Sequence, residues 1–332
     1  MKFIKIGLLA LFCFIGVLIV SGCGSDDDMT EVRVAEVTRS IFYAPQYVAI
    51  SEGFFEEEGL DIDLTTTWGG DNTMVALLSD GADIALVGAE TSIYVYAQDS
   101  NDPAINFAQL TQTDGTFLVS REPVEDFSWD DLKGSTFLGQ RVGGMPQMVG
   151  EFVLKENGID PHSDLELIQN IEFGNIPSAF ASGTGDYVQL FEPQATMFED
   201  EGIGYIVDSF GTQSGNVPYT VYMARESFID EDSETIERFT RALHRAQAWV
   251  HEQPADVVAE SIADFFDDTP LDVIEQVVER YRDQGSFAES PLLQEDAWYH
   301  LQAIMDEAGE LPEEISYEDL VNTDIPTKIM NE

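Results

Sequence analysis

The chain has 332 residues, 15 Lys+Arg against 63 Asp+Glu, and a formal net charge of −48 at pH 7. Such a charge repels phosphate backbones and excludes nucleic acid as a partner; acid spread along the whole chain suits a solvated surface screened by high salt, as in a halophile. Cysteine is limited to Cys13 and Cys23, which leaves the body of the chain without disulfides, thiolate metal sites or a cysteine nucleophile.

Lys2 and Lys5 open a mostly apolar, uncharged run over residues 6–20, shorter than the roughly 20 residues a bilayer span needs. The run ends at Val20-Ser21-Gly22-Cys23. Small residues before a cysteine at this place resemble a bacterial lipoprotein signal. Residues 1–22 then read as a leader cleaved before Cys23, whose sulfur takes the lipid, and residues 23–30 as an Asp-rich tether. The alternative is an ordinary secretory signal with an incidental cysteine.

From residue 32 to about 211, strand-like and helix-like segments alternate, which predicts α/β layers. A strand over 32–38 leads to a short helix over 45–52, with Pro45 at its first turn and Gly53 past its end. A strand over 61–67, the loop Trp68-Gly69-Gly70 and a helix over 72–79 follow, with Asp71 as its cap. Then come a buried strand over 82–87, a helix over 91–98 and a long β-rich passage over 106–120 with Asp114-Gly115 in its middle. A second unit repeats the alternation, with strands over 135–140, 165–171, 187–191 and 204–210. Its helices are expected over 146–157, 177–182 and 194–199, after a short turn or helix over 127–132. Residues 219–225 are β-rich again, and residues 232–308 are helical with breaks at Pro254, Pro270 and Pro291.

Catalytic signatures are absent from the sequence: it has no HExxH, GxSxG, P-loop or GxGxxG pattern. His162, His244, His251 and His300 are scattered and read as surface residues. Acidic pairs such as Asp61/Asp63 and Asp267/Asp268 are too ordinary in so acidic a chain to mark a calcium or acid–base site.

The segments FYAPQYVAISEGFFEEEGLDIDL, GGDNTMVALLSDGADIALVG, LKGSTFLGQRVGGMPQMVGEFVLKENGID, GTGDYVQLFEP and GNVPYTVYMAR stand in this order between residues 32 and 248. Together they resemble substrate-binding proteins of the SsuA/THI5-like (NMT1) family. The resemblance implies an α/β, periplasmic-binding-protein-like (type II) fold: two α/β lobes joined by two crossing strands, with a helical C-terminal region. Lobe 1 is expected to comprise 31–115 and 220–332, and lobe 2 residues 116–219. A small-molecule ligand, an ABC permease and its ATPase are the implied partners. The implied protein is a monomer outside the cytoplasm, held to the membrane by lipid on Cys23, with no cofactor, metal or catalytic residue.

Each matched segment is a strand end, a loop and a helix start, which is where ligands lie in open α/β sheets. Helix N-termini there present free N–H groups, and glycines let the backbone come close. Phe42, Tyr43 and Trp68 are candidate walls for a flat ligand, with Tyr47 beside them; Phe42 and Tyr47 could equally be core. Glu90, Thr91, Gly144, Met145 and Tyr219 fall on the same cleft loops, and Asn72 and Asn175 offer side-chain amides. Glu192, in the family's aromatic-Glu-Pro motif, could accept paired N–H groups from an aminopyrimidine or cap the following helix. Arg39 and Arg141 are the candidates for an anionic ligand. The favoured ligand is a heterocycle of the thiamine-pyrimidine type, and a sulfonate or nitrate is the rival. The family also holds a pyrimidine synthase with a cysteine-rich iron motif, for which this chain has no matching segment.

Overall fold

The computed structural model describes residues 29–332; the expected leader and the lipid site Cys23 lie outside the described residues. Ten strands form two mixed sheets of five. The first sheet contains β1 (Thr30–Glu36), β2 (Leu60–Thr66), β3 (Ile84–Gly88) and β4 (Ala104–Thr111). The second contains β5 (Thr116–Ser120), β6 (Thr136–Leu138), β7 (Glu166–Ile168), β8 (Tyr187–Phe191) and β9 (Tyr205–Ser209). The chain then returns to the first sheet as β10 (Thr220–Arg225). Strand orders are β2-β1-β3-β10-β4 and β7-β6-β8-β5-β9.

Three neighbouring strands are parallel in each sheet, and a strand that has come over from the other lobe joins them antiparallel: β10 beside β3, and β5 beside β8. The parallel strands aim their C-terminal ends at the gap between the sheets. In β3 the run Ile84–Val87 is buried and apolar throughout, as a strand covered on both faces must be.

The β-rich passage over 106–120 is two strands of different sheets. Residues 112–115 carry the chain across, and the return crossing pairs with them through Val217 N–H to Gln112 O at 3.0 Å. Gly115 is required there: a Cβ would stand 2.8 Å from the Phe42 ring. The segment over 165–171 pairs only over Glu166–Ile168, and a short helix, Phe210–Ser214, follows β9 where strand was expected to end.

The C-terminal helices cover more than the first lobe. Ser233–Glu252 packs on the helices Ala44–Ser51 and Phe54–Glu57, with the Phe55 and Phe239 rings 4.8 Å apart. Leu271–Asp283 reaches the crossing, where the Tyr281 hydroxyl donates to Gly115 O at 3.0 Å. Glu295–Ala308 lies on the second lobe's helix Met145–Glu156, and Lys155 Nζ donates to Glu307 O at 2.9 Å.

Candidate ligand-binding site

A cavity of about 500 Å³ lies between the lobes, within the size range of small-molecule sites. Its lining is built from strand ends and the turns that follow. Residues 37–43 follow β1, residues 68–78 follow β2, and residues 87–98 follow β3. From the second lobe come residues 140–146 and 172–173 with Phe191, and from the return crossing Tyr219 and Thr220.

Aromatic rings run from one lobe to the other. Phe42 packs on Tyr43 at 6.0 Å, Tyr219 at 5.6 Å and Phe191 at 6.2 Å, and Phe173 stands 5.7 Å from Phe191. Phe42 is both wall and core, because its ring also meets Tyr281 at 5.0 Å. Tyr47 is core alone: it is fully buried and stacks on Phe265 at 4.7 Å.

Trp68 is different. Its backbone has φ 59°, a left-handed conformation that costs a bulky residue energy. Its side chain is 63% exposed although it lines the cavity. Gly69, at φ 143°, and the bond from Gly69 N–H to Val37 O at 3.0 Å hold the turn. Asn72 is spent on the same turn, its amide donating to Thr67 O at 3.1 Å and Trp68 O at 3.4 Å. The helix after it, Gly70–Leu78, has Gly69 as its N-cap, so Asp71 lies in its first turn rather than at its cap.

Acidic side chains outnumber basic ones in the lining. Asp71, Glu90 and Glu172 line the cavity, and Arg141 is the sole Lys or Arg among the described lining residues. Its guanidinium already sits 3.5 Å from Asp71 and 3.7 Å from Glu172, bridging the lobes. Glu90 is 5% exposed. One of its oxygens accepts the Met145 N–H at 3.3 Å, at the start of the second lobe's helix Met145–Glu156. Burial with no cation at hand lifts its carboxyl to about 8. Gly88 accommodates it, since a Cβ there would fall on the Glu90 carboxyl. Thr91 Oγ1 is engaged locally, donating to Gly88 O at 2.7 Å, and Gly144 is the residue before the Met145 helix. Burial also raises the Tyr43 and Tyr219 hydroxyls, with Glu36 and Asp114 adding to it.

Three of the expected contact residues stand apart from the lining. Arg39 donates to Glu36 at 2.8 Å and lies over the Tyr47 and Phe265 rings at 5.5 Å. Glu36 is fully buried and also accepts from Gln46, Tyr47 and Thr66, so Arg39 serves as its counter-charge. Asn175 is exposed beyond Phe173. Glu192 is 1% exposed and saturated: Thr196 N–H donates at 2.8 Å, Thr196 Oγ1 at 2.8 Å and Arg280 Nη1 at 2.7 Å. It therefore caps the helix Gln194–Asp200 and anchors Arg280 instead of facing the cavity.

Gln140 lines the cavity and was not singled out from sequence. Its side-chain amide donates to Gln189 O at 2.7 Å. Its place at the end of a strand was the available signal, shared with many residues.

The family profile described as NMT1/THI5 like matches residues 41–257. The chain is 58% identical over 331 residues, all of this chain and 99% of the other, to YtlA of Bacillus subtilis (strain 168), a candidate binding protein. It is 25% identical over 220 residues, 64% of this chain and 63% of the other, to the formylaminopyrimidine-binding protein of Halalkalibacterium halodurans. Among solved structures, the alkanesulfonate-binding protein SsuA of Xanthomonas axonopodis pv. citri, bound to MOPS, aligns with a TM-score of 0.71 at 14% identity. That alignment covers 89% of this chain and 99% of the other and marks a shared fold.

Proposed function

Because the chain belongs to the NMT1/THI5-like family, we propose that it is the solute-binding component of an ABC importer. In this reading it captures a neutral or cationic nitrogen heterocycle of the thiamine-pyrimidine type. It acts outside the cytoplasm as a monomer tethered through lipid on Cys23, performs no chemistry, and passes its ligand to a permease driven by an ATPase. Ligand stabilises the closed arrangement of the lobes, and that arrangement is what the permease reads.

The observation that carries the choice of ligand is the charge of the lining. An oxyanion needs free helix N-termini or an unengaged cation. Here the Met145 N–H is held by Glu90, and Asp71 occupies the first turn of Gly70–Leu78. Arg141 is shared between two carboxylates. The protein's own carboxylates thus take the places that a sulfonate or nitrate would use. Rings from both lobes favour a flat ligand, and the carboxylates favour one bearing N–H groups. A relative at 25% identity is named for a formylaminopyrimidine, which agrees with this chemistry.

A thermal-shift screen of refolded, ligand-free protein tests the reading. A ligand at about 100 times its Kd adds roughly 2.7 kcal/mol of stability, so aminopyrimidines raise Tm and methanesulfonate and nitrate do not. The opposite ranking overturns it.

A further inference from the structure

Two residues lining the cavity carry buried side-chain oxygens that have no hydrogen-bond partner: Glu90 Oε2 and Gln140 Oε1. Glu90 belongs to the first lobe and Gln140 to the second. These residues are 5% and 3% exposed.

Orientation fixes what each can do. Gln140 donates from Nε2 to Gln189 O at 2.7 Å, so its Oε1 is the atom left over, and a flipped amide would set oxygen against oxygen. Glu90 spends its other oxygen on Met145 N–H at 3.3 Å. A buried oxygen without a partner is costly, and the cost is recovered when a donor arrives. Gln140 Oε1 is an acceptor. Glu90 holds a proton in the ligand-free protein, and handing it to a basic ring nitrogen of the ligand leaves Oε2 an acceptor facing that N–H, so both partners are N–H groups on the ligand.

Resting on the heterocycle reading above, we propose that Glu90 and Gln140 are the specificity-determining pair: they read two hydrogen-bond donors of the ligand, one from each lobe. A ligand with an exocyclic amine beside a protonated ring nitrogen, or with two amino groups, satisfies both at once and bridges the cleft. Glu90 then joins recognition to closure, because the same carboxyl already holds the second lobe through Met145. A ligand lacking those donors leaves one buried acceptor unpaired and loses affinity on closure.

The test is a ratio. Calorimetric affinities for 4-amino-5-hydroxymethyl-2-methylpyrimidine and its 4-methyl analogue, which lacks the amine, are measured on wild type, Glu90→Gln and Gln140→Met. Wild type prefers the amine about tenfold or more. Either variant lowers that preference to within about threefold, through weaker binding of the amine and unchanged binding of the analogue. A purely structural role would weaken both compounds together and leave the ratio alone, which overturns the proposal. If wild type binds neither compound but binds a sulfonate, the heterocycle reading itself has failed. Should one variant not fold, the other supplies the same ratio.

Discussion

Replacing Arg280 with methionine is expected to cost the protein about 3 to 5 kcal/mol, because the buried partner it abandons is left without its counter-charge. The Glu192 side chain is 0% exposed and Arg280 22% exposed, with Nη1 2.7 Å from Glu192 Oε1 and 2.9 Å from Thr196 Oγ1. After the substitution the carboxylate keeps only the Thr196 N–H and hydroxyl. Some water enters where the guanidinium was partly exposed, which places the loss near the lower end, ~3 kcal/mol. The pair also ties the second lobe to the helix Leu271–Asp283, so the loss appears in the whole transition rather than in a frayed end. Urea unfolding followed by tryptophan fluorescence, to which buried Trp298 contributes, measures it. Glu192→Gln in the same background removes the stranded charge. The double variant should recover at least about 1.5 kcal/mol relative to Arg280→Met alone. A single-variant loss below about 1 kcal/mol, or additive losses, refutes the view that Glu192 is a structural anchor.

Other outcomes follow from the same geometry. Trp68→Ala should weaken ligand binding while changing stability by no more than about 0.5 kcal/mol, since the ring is 63% exposed; titration and unfolding of one preparation check both. Gly115→Ala should destabilise by about 1 to 3 kcal/mol, because its Cβ meets the Phe42 ring at 2.8 Å in a packed site; a melt at wild-type temperature contradicts this. Glu90 is lifted from 4.5 to about 8 by folding, so the folded protein holds that proton more tightly. The associated stability is complete below pH 4.5 and lost as pH rises through about 8, amounting at most to ~5 kcal/mol. Tyr43, Tyr94 and Tyr219 are its titratable neighbours and stay neutral across that window. Stability of Glu90→Gln relative to wild type should therefore climb between pH 5 and pH 8, and a flat difference contradicts the assignment. Finally, a net charge of −48 predicts a Tm that rises from low to molar salt.

Much of the architecture was legible because strand ends, glycines and prolines punctuate the chain. Pro45 and Pro146 stand in the first turns of their helices, and the loops after β1, β2, β3 and β6 contribute most of the cavity lining. The passage over 106–120 was less legible. Every residue of β4 and β5 is buried, and such a run carries no mark of a change of sheet. Individual contacts were harder still. Glu192 stands at a strand end before a helix, the position of a ligand-binding carboxylate, but its fate depends on Arg280, 88 residues away. Arg39 looked available for an anion, and only the fold brings Glu36 and Thr66 around it. Gln140 has the reverse history: its one free oxygen exists because Gln189 O takes the other end of the amide.

The most direct measurement titrates ligand-free protein with two molecules built on one pyrimidine ring, one carrying an exocyclic amine and the other a sulfonate in its place. Heat and affinity should favour the amine by at least about 100-fold, as a lining of carboxylates around a single engaged arginine requires. Tighter binding of the sulfonate would contradict the account at its centre.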